Sequence, residues 1–198
     1  YRILMITPFH KNSRGNKFTS ERLQVGLSRR GWNIDLLSLE LNNWKEILGN
    51  DIREKRYSLI HGLNITHFAR VLSAFPEITR LPLLLTTTGT DVNYDLVLNR
   101  ESVIAKTLNA VRHIVIFDDY FRTIFKELYP ENCDKLVTIP QGISLEKGDG
   151  PNRSQLGLHE NDFIFLLPSG IRAVKNLELA IDALEKLQPE FPQLNLLI

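Results

Sequence analysis

The residues of this chain that could do chemistry stand just behind apolar runs. Residues 163–176, FIFLLPSGIRAVKN, are apolar for five positions and then stop at Pro168, Ser169 and Gly170. Arg172 and Lys175 follow, ahead of a helical pattern whose apolar positions are Leu177, Ala180, Ile181, Leu184 and Leu187. A buried strand feeding a small-residue turn and then a helix start is an anion site in outline. Free backbone N–H groups and the positive end of the helix dipole converge there. The two cations strengthen it, although a solvated α/β turn carries such residues without any ligand.

Other strand ends carry other groups. The segment after residues 2–7 holds Thr7, Pro8, Phe9, His10 and then Gly15, Asn16 and Lys17. Gly15, next to a helix start, would let backbone come close to a ligand, and it is equally a plain loop glycine. His10 is a candidate base, and a lone loop histidine is also simply a solvated one. His61-Gly62 ends the third apolar run. Residues 86–91, TTTGTD, end the fourth, with Thr88, Gly89 and Asp91 suited to hydrogen bonding a polyol. Asp91 can instead cap the next helix or pair within its loop. Asp118 and Asp119 fit a helix start through the dipole. With no third ligand at fitting spacing, no metal site is expected.

Several chemistries are excluded. The first turn is neither G-x-G-x-x-G nor G-x-x-x-x-G-K-[ST], which removes a nicotinamide site and a nucleotide-hydrolase phosphate loop. No G-x-S-x-G elbow is present, so a serine hydrolase is not expected. A net charge of +1 argues against general nucleic-acid binding. The single cysteine, Cys133, rules out an internal disulfide and a cysteine-rich zinc site and suggests an intracellular, cytoplasmic protein. No apolar run approaches the ~18 residues of a spanning helix, and no signal peptide is expected. Peripheral membrane contact and oligomeric state stay open.

The elements that must position these groups alternate in a regular way. Strands are expected at 2–7, 33–39, 57–61, 83–87, 114–117 and 136–139. Helices are expected at 18–30, 66–75, 103–111 and 120–128, with a polar helical stretch before the third strand. The expected fold class is α/β, a doubly wound parallel sheet of Rossmann-like type with right-handed crossovers, its function in the loops beyond the carboxyl ends of the strands. Residues 1–145 make the first domain and 146–160 a Gly-, Asn- and Ser-bearing linker. Residues 161–198 open a second βαβ unit. Tyr1 in place of Met and the apolar run 194–198 suggest a piece of a longer protein.

Three motifs in order resemble one known group. TTTGTD resembles the "HG-x-D" loop of the retaining glycosyltransferases of family 4, IPQGIS at residues 139–144 resembles their "IPNGVD" turn, and SGIRAVKN at residues 169–176 resembles their "GR…KG" donor site. Within that group the chain looks most like the glycosyltransferase 1 domain-containing proteins. The resemblance implies two Rossmann-like domains facing across a cleft (the GT-B fold), and transfer of a sugar with retention from a nucleotide diphosphate sugar to an unidentified acceptor, with no cofactor or metal. It gives Arg172 and Lys175 the donor diphosphate and Gly170 a close backbone approach. Gly15 and Asn16 would approach the same phosphates, and Thr88, Gly89 and Asp91 would line the sugar and acceptor side. The chain departs from the pattern at Thr88, where many members carry His, a contact that His10 or His61 would then supply. The first loop has Gly15-Asn16 in place of paired glycines, and Arg172 and Lys175 stand closer together than usual. The Glu-containing donor motif would lie beyond Ile198, which implies that residues 1–198 alone are inactive. Two other readings of the residues are a nucleotide-sugar epimerase on the same plan and a non-catalytic carbohydrate- or nucleotide-binding module.

Overall fold

The computed structural model describes residues 1–9, 15–98, 102–143 and 150–198. They form two compact units, residues 1–144 and 145–198. The first contains a six-stranded sheet in the order β2-β1-β3-β4-β5-β6, built from β1 (Arg2–Thr7), β2 (Asn33–Ser38), β3 (Leu59–Leu63), β4 (Leu83–Thr86), β5 (His113–Ile116) and β6 (Leu136–Thr138). Every pairing is parallel. The fold class is the one expected from the alternation of runs, an α/β parallel sheet flanked by helices on both faces, as in Rossmann-like proteins. Helix boundaries move by a few residues: α1 (Gly15–Ser28) begins before the expected position, and α3 (Ile65–Ala74) starts at Ile65.

Alternation along the strands sends successive side chains to opposite faces. On one face Leu4, Ile6, Ile60, Leu83, Leu85, Ile114 and Ile116 are buried in the main core. They lie under α2 (Trp44–Arg53), α3, α5 (Ser102–Ala110) and α6 (Tyr120–Leu128), which supply Leu48, Phe68, Leu108 and Phe125. The other face has a smaller cluster in which Met5, Ile34 and Leu63 pack with Leu23 and Leu27 of α1. Beside α1 this second face opens into a trough of about 450 Å³ floored by Met5, His61, Leu84 and Val115. Val137 and Ile139 at its β6 side are 41% and 52% exposed.

The strand order reverses direction between β1 and β3. In an open parallel sheet this switch point leaves a crevice beyond the carboxyl ends of the two strands, and ligands bind there. Here those ends are Thr7 to Phe9 and Leu63 to Asn64, and the Phe9 and His67 rings meet across them edge to face at 5.5 Å. Gly62 allows α3 to settle close to the sheet, since a Cβ at that position would lie 2.2 Å from Phe68 Cγ.

The second unit has β7 (Phe163–Leu166) and β8 (Leu194–Leu197), paired in parallel, and α7 (Leu177–Leu187) between them. β7 was expected as a buried strand, yet Phe163, Phe165 and Leu166 are 57%, 47% and 63% exposed. Leu177 is buried and Ile181 and Leu187 are exposed, so only part of the expected apolar face of α7 is covered. Two strands and one helix lack the surface to cover both faces of a parallel pair.

Gly62→Ala should destabilise the first unit by about 3 kcal/mol, the upper end of overpacking costs, because the methyl meets an aromatic ring locked in the core. Urea unfolding measures it: the midpoint drops with the slope unchanged. An unmoved midpoint would show that Phe68 can turn aside.

Candidate functional site

The ends of β3 and β4, neighbours in the sheet, are tied to one another. β3 leaves the sheet at Leu63, and the chain turns into α3 through Asn64, whose backbone has φ 70° and ψ 122°. That is the left-handed side of the map, with ψ too large for the αL well, and a non-glycine residue stays there only when its surroundings hold it. They do so on three sides. The Asn64 N–H donates to the Thr86 carbonyl (2.9 Å), its Oδ1 accepts from the His67 N–H (3.1 Å), and its Nδ2 donates to Thr88 Oγ1 (3.0 Å). The oxygen thus caps the first turn of α3, while the amide nitrogen reaches across to the next strand end.

β4 ends at Thr86, and its loop folds around Asp91. This carboxylate is fully buried. Its Oδ1 accepts from the Thr88 and Val92 N–H groups at 2.9 and 3.1 Å, and its Oδ2 accepts from the Ile65 N–H at 2.8 Å. The Thr88 hydroxyl also lies 3.4 Å from Oδ1. Burial pushes the Asp91 carboxyl above its ordinary range, against the pull of these backbone donors. Asp91 therefore fastens the β4 loop to the start of α3, and its oxygens face inward. Gly89 in the same loop has φ +88°, a conformation that favours glycine, and stands in open space apart from the Phe121 ring edge at 3.9 Å. After Asp91 the chain runs through a π-helical turn (Asp91–Asp95) into the single turn α4 (Leu96–Leu98), and Asp95 accepts from the Thr66 hydroxyl at 2.6 Å.

The expected site residues of this unit fall in three places. Thr88, Gly89 and Asp91 are gathered in one loop, with Thr88 and Gly89 half-buried at its surface. Gly15 and Asn16 open α1, Gly15 exposed and Asn16 half-buried, and a Cβ at Gly15 would touch nothing. His10 lies outside the described residues. His61 sits in β3 with its Nε2 2.7 Å from Thr86 Oγ1, and burial lowers its pKa to about 4. It is a buried histidine, neutral near pH 7, and its ring lines the trough on the sheet's second face. Asp118 accepts from the Tyr120 N–H at 2.7 Å at the start of α6, the helix-start role that its position suggested. No group of three His, Cys, Asp or Glu side chains placed to hold a metal occurs among the described residues.

Asn64 and the Phe9–His67 ring pair were not singled out in the sequence. An Asn immediately before the apolar pattern of α3 is an N-cap signal, so the capping half of its role was readable there. Its positive φ and its reach to Thr88 depend on the strand pairing and were not.

In the second unit the turn after β7 holds Gly170, Arg172 and Lys175. Arg172 has extended backbone and precedes a 3₁₀ turn (Ala173–Lys175), and Asn176 at φ 46° then starts α7. The cations thus lie one turn ahead of the helix, whereas they had been expected at its mouth. Both are exposed, and among the described residues neither side chain has an ion-pair or hydrogen-bond partner. A Cβ on Gly170 would meet nothing within 4 Å, leaving the backbone there open to approach.

Two outcomes check this geometry. Asp91→Asn should cost about 1–3 kcal/mol, because an amide nitrogen must then face a backbone N–H that the carboxylate satisfied. A variant as stable as the parent in urea would deny Asp91 its fastening role. For His61, the unfolded imidazole takes its proton near pH 6.5 and the folded one only near 4. Its contribution to stability is therefore complete above pH 6.5 and is lost as pH falls toward 4, by about 3 kcal/mol in full. Urea titrations from pH 7 to 4.5 should show His61→Gln with the shallower decline, the difference between the two curves isolating the histidine.

Comparison of the sequence with protein-family models and with curated proteins finds no match.

Proposed function

We propose that the protein is a glycosyltransferase that moves a sugar from a nucleotide diphosphate sugar to an acceptor hydroxyl with retention. The observation that carries this reading is the β7–α7 turn. An open glycine and two unpaired cations stand together in a strand-to-helix turn of a parallel βαβ unit, the kind of place where phosphates bind. The reading draws further support from the three motifs in family order and from the α/β sheet whose switch-point loops present hydroxyl and amide groups.

In the reaction the bond between the sugar's anomeric carbon and the diphosphate oxygen breaks, and a bond from that carbon to the acceptor oxygen forms. The acceptor loses its hydroxyl proton, and the departing nucleoside diphosphate gains negative charge. Arg172 offers a planar fork of donors to two phosphate oxygens, and Lys175 adds a compact charge. Their effect grows as the leaving group's charge grows, so it favours the transition state over the bound donor. The Thr88 and Gly89 loop receives the sugar and acceptor side, with Asp91 holding that loop in shape. Gly15 and Asn16 at the start of α1 leave backbone open to a ligand. No metal or cofactor has a part in this scheme. The described residues contain no helix long and apolar enough to cross a membrane, and a cytoplasmic location where nucleotide sugars are abundant completes the proposal.

A thermal-shift panel of UDP, GDP and ADP and their hexose conjugates, run on the full-length protein, tests it. One base should raise the melting temperature through binding to the native state. Arg172→Ala should weaken that diphosphate about 10- to 100-fold, as expected for loss of one charge-assisted hydrogen bond. Unchanged affinity in Arg172→Ala removes the turn from the donor site.

A further inference from the structure

The trough on the second face of the large sheet has two unlike ends. It holds about 450 Å³, within the range of roughly 300–1,000 Å³ that small-molecule sites occupy. Toward the amino ends of the strands its lining is apolar, from Ile3, Leu59, Leu84, Leu27 and Trp32. Toward the carboxyl ends, α1 is tied to the segment that follows β6. Gln141 Nε2 donates to Thr19 Oγ1 at 2.6 Å, and Arg22 Nη1 donates to the Gly142 carbonyl. Arg22 is half-buried, lines the trough and has no carboxylate partner among the described residues. A cation set against apolar side chains without a counter-charge favours an anion beside it.

His61 is the second polar feature. It is 5% exposed, and with Nε2 held 2.7 Å from Thr86 Oγ1, its Nδ1 has no hydrogen-bond partner among the described residues. Nor is that atom sealed in the core, since among the described residues the one fully buried side-chain nitrogen or oxygen without a partner is Asn132 Oδ1. The ring borders the trough, so Nδ1 meets the space inside it. The Thr86 hydroxyl donates as readily as it accepts. Once it donates to Nε2, the neutral ring carries its hydrogen on Nδ1 and has it to give.

We propose that the trough is a binding site for an aliphatic chain that ends in an anionic head group, a fatty carboxylate being the simplest case. The chain lies along the apolar end toward Trp32, and the head group takes hydrogen bonds from Arg22 and from Nδ1 of His61. β3, β4 and β5 are four to five residues long, about 13–17 Å at the rise of a strand, so a chain of medium length fills the floor. Other classes fit less well. A sugar or a nucleotide would press hydroxyl groups against Met5, Leu84 and Val115, where they find no partners. A plain hydrocarbon leaves Arg22 and His61 unanswered, and a cationic amphiphile places like charge beside Arg22. The site stands independently of glycosyl transfer, whose scheme uses none of these residues.

Isothermal titration calorimetry of the full-length protein tests this with decanoate, decanol and decyltrimethylammonium, each below its micelle concentration. Decanoate should bind at one site per chain, decanol about tenfold more weakly, and the cationic amphiphile not measurably. Arg22→Ala should weaken decanoate about tenfold, as expected for loss of one charge-assisted hydrogen bond, and should leave decanol within about threefold of its parent affinity. Val115→Phe, which fills the floor of the trough, should abolish binding of both while the melting temperature stays within about 5 °C. If Val115→Phe fails to fold, the Arg22→Ala comparison decides the matter. A full-length parent that takes up no decanoate overturns the proposal and leaves the trough to another segment or partner. Equal affinity for all three amphiphiles, which marks unselective apolar uptake, overturns it as well. So does decanoate binding that is unchanged in Arg22→Ala or in folded Val115→Phe.

Discussion

The Asp91 carboxylate holds the loop after β4 to the start of α3. It has no exposed surface, and its two oxygens take three backbone N–H groups, from Thr88 and Val92 of its own loop and from Ile65, 26 residues before it. A buried carboxylate is costly unless its lone pairs are filled, and each donor it lacks would leave it worse placed than a neutral group. The loop after β4 therefore has little freedom. To keep Asp91 satisfied, Thr88 and Val92 must curl around it and Ile65 must begin α3 beside it. Gly89 supplies the one left-handed residue that the curl requires, and Asn64 supplies another at the end of β3. The site loops are stiff because a charge in the interior is served by their backbone.

That constraint separates two kinds of recognition along the chain. The β4 loop has spent its carboxylate on its own architecture and presents hydroxyl and amide groups, which suit a neutral, hydroxyl-rich ligand. The β7–α7 turn does the opposite. Among the described residues its cations have no side-chain partners and its glycine is uncovered, which suits an anion.

Much of the fold was legible in the sequence. RILMIT, IVIF and the other unbroken apolar runs could only be strands covered on both sides or short core segments, and their alternation with helical patterns left a parallel sheet as the economical arrangement. α6 was placed at Tyr120–Leu128 by its strong apolar period. The candidate site was legible only as residue types at strand ends. TTTGTD suggested polyol chemistry, but whether Asp91 would face a ligand or the interior depended on where the N–H groups of Ile65 and Val92 came to lie, which is a matter of strand pairing. The positive φ of Asn64 and its reach to Thr88 were invisible for the same reason. The exposure of β7 shows the reverse limit: apolar composition states that a strand must be covered, and it does not state what covers it.

The second face of the large sheet bears on how the molecule can be observed. Among the described residues of the first unit α1 packs on that face, and in the trough beside it Met5 and His61 are buried while Ile139 at the rim is 52% exposed. The indole of Trp32 lies along the same trough and is 47% exposed. Its intrinsic emission would respond to occupation of the trough as well as to unfolding, so the folded protein carries its own optical reporter for whatever comes to rest on that face.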